Sequence, residues 1–194
     1  MKIFKKSPKT RYNEELRGGS ANKVNAYMYN TYVKNPKIVI QNNMLQYGQI
    51  YTYTYNPKYK DVLAFYDKNP LVLIYNQYYN KNTNNILYSG INLHFLPIEE
   101  KMILLDTYWH YFYKFNGTKL IKVLPVTYSE FFKFAFTRLR KINYKFALRT
   151  YIINRLNKAT LINEDEWGKI IMAKPNFIEK LSIEEIYKLY YKAK

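Results

Sequence analysis

The chain has 194 residues, 48% hydrophobic and 19% aromatic, with 31 Lys and Arg against 14 Asp and Glu. That apolar content excludes a disordered chain over most of the length and suffices for one core. A net charge of +17 calls for a polyanionic partner, and the absence of cysteine excludes disulfides, thiolate nucleophiles and thiolate metal sites.

Nucleic acid and an anionic membrane both meet the charge requirement, but no apolar run approaches the ~18–20 residues that a spanning helix needs. The basic start, Met1 to Ser7, runs into Pro8-Lys-Thr-Arg-Tyr-Asn-Glu-Glu15 and not into an apolar core, so no secretory signal is read. Enrichment in Tyr, Asn and Lys is what an AT-rich genome produces through its codons, so part of the charge is compositional drift. Clustering is the test of selection.

Residues 1–37 carry nine basic residues, among them Lys5, Lys6, Lys9 and Arg11, against Glu14 and Glu15, with Gly18-Gly19-Ser20 as a hinge. Apolar residues there lack a clear period, which predicts a basic, extended arm ahead of one α+β domain over 38–194. A solvated tail and a DNA-contacting arm fit this segment about equally.

From Gly48 the pattern changes. Gln49-Ile-Tyr-Thr-Tyr-Thr-Tyr-Asn56 alternates with period two and predicts a strand with two distinct faces, closed by the turn Asn56-Pro57-Lys58. Pro70-Leu-Val-Leu-Ile-Tyr75 and Ile91-Asn-Leu-His-Phe-Leu96 are two further strand candidates, with a polar tip at Asn80 to Asn85 between them. Residues 48–96 therefore read as a small antiparallel sheet or partly closed barrel, followed by a helical C-terminal half.

After Pro97 the apolar residues Ile98, Met102, Leu105 and Trp109 recur at helical spacing behind Glu99 and Glu100, predicting a helix that ends near Asn116-Gly117. Thr127-Tyr-Ser-Glu130 opens a second helix through Lys141, and Asn143 opens a third through about Asn157. Asn163-Glu-Asp-Glu166 and Ser182-Ile-Glu-Glu185 are N-terminal signals for two more.

Charge concentrates in this half. Between Lys119 and Lys158 there are ten basic residues, including Lys133, Arg138, Arg140, Lys141, Lys145, Arg149, Arg155 and Lys158, and the only acid is Glu130. On helices, Lys145 with Arg149 and Arg138 with Lys141 would present a continuous basic stripe able to neutralise phosphates. The interleaved aromatics Tyr128, Phe131, Phe132, Phe134, Phe136, Tyr144, Phe146 and Tyr151 could stack on bases, but their helical spacing assigns them to the core.

Signals for catalysis are weak. His94 and His110 sit on different elements without a paired ligand, so no metal site is expected, and no phosphate-binding glycine loop calls for a nucleotide cofactor. Asp61, Asp67 and Asp106 are the one set that could converge as a Mg²⁺ nuclease site.

Three blocks carry a resemblance. The string from Gly48 to Leu73 is similar to a pattern of contractile-tailed phages in which a Tyr-rich strand leads into Asp-Pro-Lys and then Tyr-Asp and Pro-Leu. Gly90-Ile-Asn-Leu-His-Phe-Leu-Pro97 resembles that family's second block, and Phe146-Ala-Leu-Arg-Thr-Tyr151 with Glu164-Asp-Glu-Trp167 its later ones. The family is that of the DNA end protector, or head-completion, proteins. Asn56, Ala64 and Asn69 stand where the pattern has Asp, Pro and Phe.

The resemblance implies a non-enzymatic virion protein, made in the host cytoplasm, that shields genome termini and completes the head. Its DNA contacts would be phosphate contacts made by the Lys and Arg residues above. The alternative is an assembly module whose basic face meets an acidic surface on a neck, portal or baseplate protein.

Overall fold

The computed structural model describes residues 6–16, 21–34, 45–116, 119–122, 128–142, 144–174, 178–179 and 181–192. Its centre is a five-stranded antiparallel sheet built from β1 (Ile50–Tyr55), β3 (Leu71–Asn80), β4 (Asn85–Asn92), β7 (Leu148–Ile152) and β8 (Leu156–Leu161). The spatial order is β7-β4-β3-β1-β8. β2 (Tyr66–Asp67) pairs with β9 (Ile178–Glu179), and β5 (Tyr113–Asn116) with β6 (Lys119–Lys122).

The sheet is open, since the edge strands β7 and β8 do not pair. It is nevertheless strongly rolled. A flat sheet of this order would hold its edges about 19 Å apart, whereas the backbone from Ile152 to Leu156, joined by a single turn Ile153–Arg155, spans at most about 14 Å.

The alternation of β1 is realised in full. Tyr51, Tyr53 and Tyr55 face one side with Val72, Ile74, Tyr88, Tyr151, Ile153 and Leu156, forming a tyrosine-rich inner core. Ile50 faces the other side, where Leu71, Leu73 and Ile91 meet the helices. Buried phenols need partners, and several have them: the Tyr51 and Tyr88 hydroxyls accept from the backbone N–H groups of Gln46 (3.0 Å) and Leu45 (3.1 Å).

The helices cover the outer face. α3 (Ile98–Phe112) buries Leu104, Leu105, Tyr108 and Phe112, and α4 (Tyr128–Lys141) buries Phe131, Phe132, Ala135 and Leu139. α5 (Trp167–Met172) adds Trp167, Ile170 and Ile171. α6 (Ile183–Lys192) opens with the expected capping box: Ser182 Oγ accepts from Glu185 N at 3.2 Å, and Glu185 Oε2 accepts from Ser182 N at 2.7 Å.

Four sequence readings change. The helix after Pro97 was expected to end near Asn116-Gly117; it ends at Phe112, and Tyr113–Asn116 is β5, paired with β6. The third strand was expected at 91–96; the strand is Asn85–Asn92, and Leu93–Phe95 form a tight turn because Asn92 Oδ1 accepts from His94 N at 3.1 Å. The helix expected from Asn143 to Asn157 does not exist: a turn at Lys145–Ala147 leads into β7, and Leu156–Leu161 is β8. Leu148-Arg-Thr-Tyr-Ile152 is β-branched and aromatic, and the vacant edges of β4 and β1 supply the ladder bonds that outweigh local helix signals. Residues 8–16, starting with α1 (Pro8–Arg11), and 21–34 are helical where an arm was expected. Val24, Met28 and Tyr32 of α2 (Ala21–Met28) and its continuation bury against the helical core, at a spacing of four. The Gly18-Gly19-Ser20 hinge, Gly117, Thr127 and Asn143 lie outside the described residues.

Two glycines hold this arrangement. Gly48, at φ 75, lies under the ring of Tyr128, and its carbonyl accepts the buried Tyr108 hydroxyl at 2.5 Å. Gly90 in β4 lets the fully buried Val72 cross it: a Cβ there would stand 2.1 Å from Val72 Cγ1 and 2.9 Å from Leu73 O. Gly90→Ala is therefore expected to lower unfolding free energy by about 1–3 kcal/mol, the range for overpacking a close-packed interior. Urea denaturation measures it, and an unchanged midpoint would contradict the close approach.

Candidate nucleic-acid interface

The ten cations of residues 119–158 and those of the N-terminal segment meet different fates. On α4 the apolar face is fully committed to the core, which leaves Lys133, Arg140 and Lys141 exposed on the outside. Arg140 is seven and Lys141 eight residues after Lys133, two helical turns on, so the three share a face. Lys145 is exposed just beyond the helix end.

Arg138, by contrast, is already spent. Its Nε and Nη2 meet Glu100 Oε2 and Oε1 at 2.5 and 2.8 Å, a bidentate pair tying α4 to α3 that holds the guanidinium pKa above its ordinary value. Arg11 is spent likewise: Nη2 meets Asp165 Oδ1 at 3.0 Å, and Nε donates to Lys6 O at 3.1 Å. Lys6 pairs with Glu14, while Lys9 is exposed. Lys5 lies outside the described residues.

Arg149, Arg155 and Lys158 are not on a helix with Lys145. Arg149 is on β7, Arg155 at the end of the turn joining the sheet edges, and Lys158 at φ 53 in β8; the last two are exposed. The basic residues are thus divided between a patch on α4 and positions on the sheet and its connecting turn.

A cleft of about 230 Å³ is lined among others by Tyr55, Lys58, Tyr59, Phe65, Asp67, Asn92, Phe95, Arg149 and Tyr151. Its floor is a buried polar cluster. Asp67, 5% exposed, accepts from Asn69 N on Oδ1 at 3.1 Å and from Asn92 Nδ2 on Oδ2 at 3.1 Å, with His94 Nδ1 also 2.8 Å from Oδ2. Arg149 has a different environment: its guanidinium carbon lies 4.5 Å from the Phe65 ring centre and 5.3 Å from that of Phe95. Its Nη2 is buried and meets no hydrogen-bond partner among the described residues. The Tyr53 and Tyr151 hydroxyls are in the same condition, and burial pushes both phenol pKa values well up.

The residues around this cleft come from the Tyr-rich block, the Gly90–Pro97 block and the Phe146–Tyr151 block, which lie far apart in the chain. A family model of the phage T4 terminal DNA protecting protein matches residues 2–183. The chain belongs to that family. Among curated proteins and solved structures, nothing matches.

Membership makes this a phage protein of a DNA-end-protecting family, and the fold is the α+β arrangement that the family resemblance accompanied. No helix among the described residues is long and apolar enough to cross a membrane. For a DNA end protector the aspartates matter, because a nuclease would need them together. Asp61 is exposed in the loop before β2, Asp67 is occupied as described, and Asp106 lies on α3 with Oδ2 3.7 Å from His110 Nδ1. Among the described residues no three acidic or histidine side chains form a group that could hold a metal ion.

The cleft was only partly visible in the sequence. Arg149 was singled out for its charge, whereas Lys58 and Asn92 were read as turn and strand residues and Tyr59 was assigned no role. Their signal was membership in the motif blocks, which gave no hint that the blocks converge.

Proposed function

We propose that the protein holds the termini of the phage genome through their phosphates, without reading sequence, and takes part in completing the head as a component of the virion. The observation that carries the reading within this family is the cation face of α4, with Lys133, Arg140 and Lys141 exposed and Lys145 beyond them. Free cations of this kind release counterions from DNA, and Glu130 is the only acid on the helix.

DNA affinity should fall steeply with salt. The slope of log K against log salt should shrink by about one for each phosphate contact removed in Lys133→Gln, Arg140→Gln and Lys141→Gln. Arg138 is left out because its loss would strand Glu100 at the α3–α4 contact. A salt slope unchanged in the triple variant would refute the assignment of this face.

A second reading, assembly on a neighbouring virion protein, is favoured by the β3–β4 hairpin. Its far half is exposed and carries Tyr78 at 41% and Tyr79 at 55% exposure. A complex of fixed stoichiometry that survives nuclease and high salt would support it.

A further inference from the structure

The cleft has chemistry that the α4 face lacks. A guanidinium removed from water without an acceptor is costly, and buried donors are ordinarily satisfied. Arg149 departs from this rule, while Arg11 and Arg138 obey it through Asp165 and Glu100. The nearest candidate counter-charge in the cleft, Asp67, has both oxygens engaged by Asn69, Asn92 and His94.

The guanidinium is also held in place. Phe65 and Phe95 pack edge to face at 5.5 Å beneath it, and Phe95 is braced in turn by the Tyr187 hydroxyl, which donates to its carbonyl at 3.1 Å. A further cation stands at the mouth: Lys58 lines it, 5.2 Å from the Tyr59 ring centre. The arrangement is a cation lining the cleft with one donor, Nη2, unpaired among the described residues, between aromatic walls and with Lys58 at the mouth.

We propose that this cleft receives the phosphorylated terminal nucleotide of a linear DNA, with the terminal phosphate on Arg149 and the nucleoside against Tyr55 and Tyr59. The inference rests on the end-holding reading and assigns the end-specific part of it to these residues. A cleft of about 230 Å³ admits one nucleotide and not the contour of a duplex. A phosphate monoester occurs only at a chain end and carries more charge than a backbone diester. Phosphate contacts along α4 cannot distinguish an end from the middle of a duplex; a cleft of single-nucleotide size can.

The test compares binding of short blunt duplexes carrying a 5′-phosphate, a 3′-phosphate or only hydroxyl ends, together with a closed duplex that has no ends. The wild-type chain should prefer one phosphorylated end over the hydroxyl end by about tenfold or more, as expected for a charge-assisted hydrogen bond. Arg149→Gln should erase that preference and leave the salt-dependent binding common to all four DNAs. Because Arg149 is half-buried, the exposed Tyr59→Ala and Lys58→Ala variants provide a second measurement: each should reduce the preference several-fold with an unchanged melting temperature. Equal affinity of the wild-type chain for phosphorylated, hydroxyl and closed DNA would overturn the cleft assignment while leaving the α4 reading intact. No binding to any of the four would overturn both.

Discussion

Unfolding free energy should rise as pH increases from about 7 to about 10, and Lys101→Met should remove most of that rise. Lys101 sits on the buried face of α3, 2% exposed, with its ammonium donating to the carbonyl of Ala173. Desolvation, with Lys174 adding like-charge repulsion, lowers its pKa to about 7 from the usual 10.5. Below pH 7 both folded and unfolded chains hold the proton, and the folded state bears the cost of a buried charge. Between 7 and 10.5 the unfolded chain binds more protons than the folded one, so stability increases with pH. The expected gain is on the order of 4 kcal/mol at about 1.4 kcal/mol per pH unit.

Above pH 10 the slope should reverse. The buried Tyr51, Tyr53, Tyr108 and Tyr151 have phenol pKa values raised by burial, so the folded state then retains protons that the unfolded chain loses. Lys101→Met should be the more stable protein at pH 6 and should lose that advantage by pH 9.5, where the lost bond to Ala173 costs about 1 kcal/mol. Urea unfolding across this range measures it, and a flat wild-type profile would contradict the buried ammonium.

The second large effect concerns Asp67. Asp67→Ala would leave the Asn69 N–H, the Asn92 amide and His94 Nδ1 without their carboxylate in a buried site, and a loss of about 3–5 kcal/mol is expected. Asp67→Asn should cost roughly half as much, about 2 kcal/mol, since one oxygen remains to accept while the new amide faces existing donors. This separates two roles for the same residue. A metal-binding nuclease carboxylate would lose activity as Asn with little loss of stability, whereas the hydrogen-bonded carboxylate described here loses stability. Unfolding midpoints that match wild type in both variants would rule out the structural role.

Local signals in the sequence were read correctly where one element's own residues decide the outcome. The alternating tyrosines of β1, the acidic first turn of α3, the extent of α4 and the Ser182–Glu185 capping box are such cases. Failures came where distant partners decide. Residues 148–161 form two strands because β4 and β1 offer free edges, which no window of ten residues contains. On α3 the expected stripe was Ile98, Met102, Leu105 and Trp109. Leu105 and Trp109 are buried as expected, but Ile98 and Met102 are only half-buried, and Lys101, Leu104, Tyr108 and Phe112 join the buried face; the Ala173 carbonyl makes a lysine acceptable at that core position.

The sequence by itself determined the α+β class and the family, since composition, periodicity and motif strings are local properties of the chain. Only the tertiary structure decided which cations are free. Glu100 neutralises Arg138 from 38 residues away and Asp165 engages Arg11 from 154 away, whereas half-buried Arg149 packs on aromatic rings, its Nη2 without a partner among the described residues. Pairing and desolvation depend on neighbours in space, so a count of basic residues along the chain could locate the charge but not its availability.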